Sequence, residues 1–151
     1  MSHSDSLPYT PPDERLVQIL ADVLSDAPEV TFAYLFGSVA KGRVRAASDV
    51  DVAVHLGGRA STAERVNFAL DLEGALESAA GRSVQVVVLD DAPLELRFNV
   101  LAHGIALHAR DVSARRRFYV DTGRRYYDMA PARALFGRKQ RERIRKGTFG
   151  G

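Results

Sequence analysis

The chain has 151 residues, 46% hydrophobic and 26% charged, with no cysteine and a formal net charge of +2. This length fits one domain with a sizeable core, and the lack of cysteine excludes a disulfide framework and any thiolate zinc site. No stretch approaches the roughly 20 apolar residues of a membrane span, and the opening MSHSDSLPYTPPDE lacks the basic and apolar regions of a signal peptide, so the expected setting is the cytoplasm, away from membranes.

The small net charge hides an asymmetry. Residues 1–112 carry nine Lys/Arg against sixteen Asp/Glu, and residues 113–151 carry twelve against three. The C-terminal segment is therefore expected to meet something acidic, either a partner or the chain's own body.

In chain order, residues 1–11 read as a disordered tail. PPDERLVQILADVLSD reads as a helix, with Pro12, Asp13 and Glu14 in its first turn and an apolar stripe of Leu16, Ile19, Leu20 and Val23. VTFAYLFG is a strand apolar on both sides, expected at the centre of a sheet and ended by Gly37. DVDVAVHL is a second strand. STAERVNFALDLEGALESAAG is a helix with Ser61 and Glu64 at capping-box spacing, Val66, Ala69, Leu70 and Leu76 on its apolar side, and Gly81 to end it. SVQVVVLD is a third strand, APLELRFNVLAHG a helix and IALHA a last short strand. Two helical stretches follow, split at Pro131: VSARRRFYVDTGRRYYDM and ARALFGRKQRERIRK. The expected organisation is a domain over 12–112, C-terminal basic helices over 113–146, and a flexible tail over 147–151.

The chemistry concentrates in FGSVAKGRVRAASDVDVAV. Alternate residues of a strand share a face, so Asp49 and Asp51 project together while Val50, Val52 and Val54 enter the core. Two such carboxylates repel and are costly to bury unpaired. A divalent cation resolves this, and Mg²⁺ takes one or two carboxylates with substrate phosphates and water. Gly37 allows close backbone approach, the Ser38 hydroxyl can donate to phosphate oxygens, and Lys41 or Arg43 adds positive charge. An isolated Asp-x-Asp reads as a solvated edge strand; the Gly-Ser pair at a fixed distance before it argues against that. No Gly-Lys-Ser/Thr follows, so this is not a Walker P-loop.

GSVAKGRVRAASDVDV resembles the motif of the minimal nucleotidyltransferases of the DNA polymerase β-like superfamily: Gly-Ser, ten residues, then Asp-x-Asp. GRSVQVVVLDDAPLELRFNVLAHGIALHARD resembles their third strand, helix and last strand. RRRFYVDTGRRYYDM resembles the helix that often follows in MntA-type adenylyltransferase antitoxins, the partners of HEPN-type toxins. The resemblance spans about residues 12–130. It implies an α+β, two-layer fold, with a mixed sheet of about four strands backed by helices, plus C-terminal helices. It further implies Gly37 and Ser38 on the triphosphate, Asp49 and Asp51 on Mg²⁺, ATP as donor, and a hydroxyl of a helical HEPN-type toxin as acceptor.

One position departs from that pattern. Family members place a third carboxylate on the next strand, where this chain has VQVVVL, with Gln85 at the first acidic position and Val88 at the second. An amide cannot take a proton or supply negative charge, so the catalytic step is affected more than nucleotide binding. Asp90 has the wrong parity and lies roughly 16 Å along an extended strand from Gln85, and Asp91 roughly 20 Å. Neither replaces the missing group unless the strand ends early and the chain folds back. The alternative is a degenerate enzyme that neutralises its partner by stoichiometric binding.

Other groups read as structural. His55 is expected as a surface histidine at a strand end, and His103 and His108 lack the companions of a metal site. Asp121 and Asp128 suit local salt bridges. Tyr119, Gly123 and Tyr127 share a helical line beside Phe118 and Tyr126, an aromatic cluster for packing on the body or across a homo- or hetero-oligomeric interface. Gly123 in a helix suggests a bend or a close approach. A nucleic-acid role would run through residues 138–146 and ranks third.

Overall fold

The computed structural model describes residues 13–40, 49–58 and 60–131, with the backbone alone at Ser38. The expected N-terminal tail, Pro12, Lys41, Arg43 and the second C-terminal helix lie outside the described residues.

The first helix, α1 (Glu14–Ser25), begins two residues after the Pro12 start that the sequence suggests. Asp13 is its cap, accepting the Arg15 N–H at 2.9 Å, instead of a first-turn residue. Its buried stripe is Leu16, Leu20 and Leu24, at helical spacing. Next come β1 (Phe32–Phe36), a short helix α2 (Gly37–Ala40) and β2 (Val50–His55). Helix α3 (Thr62–Ala80) has the expected Ser61–Glu64 capping box and a left-handed Gly81 at its end. Then follow β3 (Val84–Val88), a single 3₁₀ turn (Leu89–Asp91), α4 (Leu94–His103), β4 (Ile105–Ala109) and α5 (Val112–Asp128). None of these helices is long and apolar enough to cross a membrane.

The strands form one mixed sheet in the order β3-β2-β1-β4. β1 is antiparallel to both β2 and β4, and β2 is parallel to β3. β1 is central, as its continuous apolar run requires. Ala33, Leu35, Val50, Val52 and Val54 pack with Leu16, Leu20 and Leu24 of α1 and Leu72 and Leu76 of α3. On the other face Phe32, Tyr34 and Ala53 pack with Val100 and Leu101 of α4, and Phe118 of α5. The α+β class and the mixed four-stranded sheet are as expected. The helices divide over both faces rather than forming one second layer, because the central strand β1 is apolar on both sides.

In α3 the buried residues are Ala69, Leu72 and Leu76; Val66 and Leu70 stay 51% and 59% exposed. The expected stripe was rotated, since Leu72 and Leu76, not Leu70, face α1 and the sheet. β3 is an edge strand whose outward N–H groups at Val84 and Val86 donate to the carboxylates of Glu77 and Glu73, at 3.2 and 2.9 Å. Those contacts occupy an edge that would otherwise accept another strand.

Candidate functional site

β1 ends at Phe36 and the chain turns at Gly37, whose φ of +77° favours glycine. A Cβ at Gly37 would overlap Oδ2 of Asp51. Two independent constraints, backbone conformation and close approach, thus select glycine here. The backbone of Ser38 continues into α2.

The ladder aligns Phe36 with Asp51 and Asp51 with Gln85. Directly paired residues project to the same face, so these three form a row across β1, β2 and β3. That face is the one α4 covers, because the alternating Val50 and Val52 face α1 and α3. Asp51 is half-buried, and Asp49, just ahead of β2, is exposed. Partial burial, and then the charge of Asp49, push the Asp51 carboxyl above its usual range. No described cationic side chain pairs with either carboxylate.

This donor set fits a hard divalent cation: two oxygen ligands, uncompensated negative charge and an open side for phosphate and water. Gln85, beside Asp51, brings a neutral amide. Among the described residues no three His, Asp or Glu side chains converge on a possible metal position.

The structure also explains the nearby acids. β3 stops at Val88, and Asp90 reaches the far end of β2, accepting the N–H groups of Leu56 and Gly57, both at 2.9 Å. Asp91 pairs with Arg65 at 2.7 Å. Both are used structurally, at the opposite end of β2 from Asp51.

His55 is half-buried, not a surface residue. Its ring lies between Phe32 and Phe118, with centroids at 4.7 and 4.8 Å. Thr31 Oγ1 donates to the His55 carbonyl and is thereby left to accept from Nδ1 at 2.6 Å. The C-terminal aromatics separate into two groups. Phe118 packs inward on His55, whereas Tyr126 stacks on Phe98 at 3.7 Å and Tyr119 and Tyr127 stay exposed. Asp121 pairs with Arg124 and Arg125. Gly123 has open space where a Cβ would stand, so no close approach explains it.

A feature absent from the sequence reading is a cleft of about 210 Å³ beside Gly37, lined by Phe36, Ala40, Asn99, Val100, His103 and Gly104. From the sequence alone His103 reads only as a histidine without the companions of a metal site. The i, i+4 spacing of Asn99 and His103 on one side of α4 was the available signal.

Residues 18–113 match the family described as polymerase beta, nucleotidyltransferase. The chain belongs to this nucleotidyltransferase family. No curated protein matches the chain. Among solved structures it is similar to a toxin–antitoxin with AMP-PNP, at 26% identity and a TM-score of 0.65, over 80% of this chain and 95% of that one. It also resembles the toxin–antitoxin MntA-HepT, at 24% identity and a TM-score of 0.62, over 83% and 97%. A third is a Shewanella oneidensis structure, a tri-AMPylated HEPN toxin in complex with MNT antitoxin, at 24% and 0.61, over 82% and 95%. The latter two likenesses carry the fold alone.

Proposed function

We propose that the chain is a Mg²⁺-dependent nucleotidyltransferase that transfers AMP from ATP to a hydroxyl of a helical HEPN-type toxin, and so serves as its antitoxin. The observation that carries this reading is the placement of Gly37 against Asp51, with Asp49 adjacent and no described cation paired to either carboxylate. Membership of the nucleotidyltransferase family supports the reaction class. The similar toxin–antitoxin structure with AMP-PNP supports the partner class and the nucleotide.

In this reading Asp49 and Asp51 hold the cation, and Gly37 and Ser38 bring backbone and hydroxyl donors to the triphosphate, with Lys41 and Arg43 adding charge. Mg²⁺, when bound, would offset the negative charge developing around the α-phosphate. The acceptor oxygen bonds to the α-phosphorus as the bond to pyrophosphate breaks. The hydroxyl proton leaves to solvent, because Gln85 has no basic group to receive it.

The pairing of Gln85 with Asp51 favours a second reading, in which the fold binds and blocks the toxin without modifying it. The aromatic and basic surface of α5 would then carry the contact. Co-expression with the toxin separates the two readings. Transfer requires that Asp49→Ala abolishes protection of growth, whereas unchanged protection by Asp49→Ala would establish the stoichiometric blocker.

A further inference from the structure

Asn99 and His103 are one turn apart on α4, both exposed, and both line the cleft beside Gly37. Neither side chain takes part in a hydrogen bond with any described residue. Their neighbours on the helix are occupied: Arg97 donates to the Asp90 carbonyl at 2.6 Å and Phe98 stacks on Tyr126. Val100 and Leu101 enter the core. Gly104 closes the back of the cleft, where a Cβ would stand 2.5 Å from the Val100 carbonyl oxygen and 3.0 Å from that of Leu35. A side chain at 104 would force that wall to shift.

The cleft and the carboxylates share a wall. Gly37 lines the cleft and touches Asp51, and Phe36 is the direct ladder partner of Asp51 on the same sheet face. Cleft and carboxylates therefore meet at Gly37, the residue proposed to hold the phosphates. The volume of about 210 Å³ is below the roughly 300–1,000 Å³ of sites that enclose drug-sized ligands. It suits a single base or sugar. The lining has the chemistry of a base site: an aromatic ring for stacking, an amide that both donates and accepts as the edge of adenine requires, and an imidazole at the mouth.

We infer that this cleft receives the base of the bound nucleoside triphosphate, with Asn99 and His103 as its specificity-determining residues. The inference rests on the phosphate and metal roles proposed for Gly37, Asp49 and Asp51. Because both side chains are exposed, their replacement leaves the core intact, which unchanged thermal unfolding would verify.

The test is calorimetric titration of the full chain with Mg²⁺ and either ATP or inorganic tripolyphosphate, which has the phosphates and no nucleoside. Wild type is expected to bind ATP at least tenfold more tightly than tripolyphosphate. Asn99→Ala and His103→Ala should each weaken ATP about 3- to 10-fold, the worth of one neutral hydrogen bond, and leave tripolyphosphate unchanged. Equal affinity of wild type for the two ligands, or ATP binding unaltered in both variants, would overturn the base cleft while the phosphate site stands. Failure of both ligands to bind wild type would overturn the phosphate site and the cleft together.

Discussion

Asp51 on β2 and Gln85 on β3 are direct ladder partners, so their side chains leave the same face of the sheet one strand apart. Neighbouring strands lie about 4.8 Å apart, within reach of one shared cation. Replacing Gln85 by aspartate therefore places a third carboxylate, and a proton acceptor, where the family pattern has one. Gln85→Asp is expected to raise the transfer rate by roughly 10²-fold or more, the usual scale of general-base assistance. Single-turnover measurement with labelled ATP checks this. An unchanged rate would mean that proton removal does not limit the reaction.

Asp51 itself costs the metal-free protein stability, because its charge is partly buried and repelled by Asp49. Asp51→Asn keeps the shape and removes the charge. The metal-free variant should melt at a higher temperature than wild type, and Mg²⁺ with ATP should no longer raise its Tm. A lower melting temperature would show that a cationic group offsets the Asp51 charge.

Gly37→Ala meets both constraints at once. A non-glycine residue at this φ costs about 1–3 kcal/mol, and the added methyl would displace the Asp51 carboxylate. Urea unfolding should report a loss of at least that strain, and Mg²⁺–nucleotide affinity should fall with it. Unaltered affinity would separate Gly37 from the site.

The half-buried histidine sets a pH dependence. Burial holds the His55 pKa below its ordinary value of 6.5; the Asp90 charge opposes this and that of Arg97 adds to it. The ring otherwise faces Thr31, Phe32 and Phe118. With the folded pKa depressed, the unfolded chain binds the proton first as pH falls. The contribution is complete above pH 6.5 and is lost as pH drops through the folded pKa. His108, also lowered by burial and by Arg110, has the same sign. Denaturation midpoints should therefore fall below pH 6.5 in wild type and fall less in His55→Gln.

Gly123 has neither a positive φ nor a close neighbour to explain it. Gly123→Ala should stabilise the protein by about 1 kcal/mol, the helix-propensity difference between the two residues. If Gly123→Ala is stabilised yet loses partner affinity in a pull-down titration, the surface between α4 and α5 is part of the contact.

The sequence was informative wherever one local rule was sufficient. The Ser61–Glu64 capping box, the left-handed Gly81 and the two-sided strand β1 follow from spacing and composition alone, and the structure has all three. The Gly-Ser and Asp-x-Asp spacing located Gly37 and Asp51, and the resemblance to the nucleotidyltransferases singled out Gln85, which the ladder pairs with Asp51. What required three dimensions was the contact between distant segments. The burial of His55 depends on Phe118, far along the chain. The rotation of the α3 stripe depends on what α1 and the sheet offer it, and Asn99 and His103 reach the cleft only because α4 packs on the face of β1. Periodicity says which residues share a helix face, and not which neighbour that face meets.

The central claim is transfer of a nucleotide through Asp49 and Asp51. The most direct test is intact-mass analysis of the purified cognate toxin after incubation with this chain, Mg²⁺ and ATP, run in parallel with Asp51→Ala. AMP-sized increments on the toxin with wild type and none with Asp51→Ala are the expected result. An unmodified toxin held in a stable complex by both forms would contradict transfer and establish a protein that inhibits by binding alone.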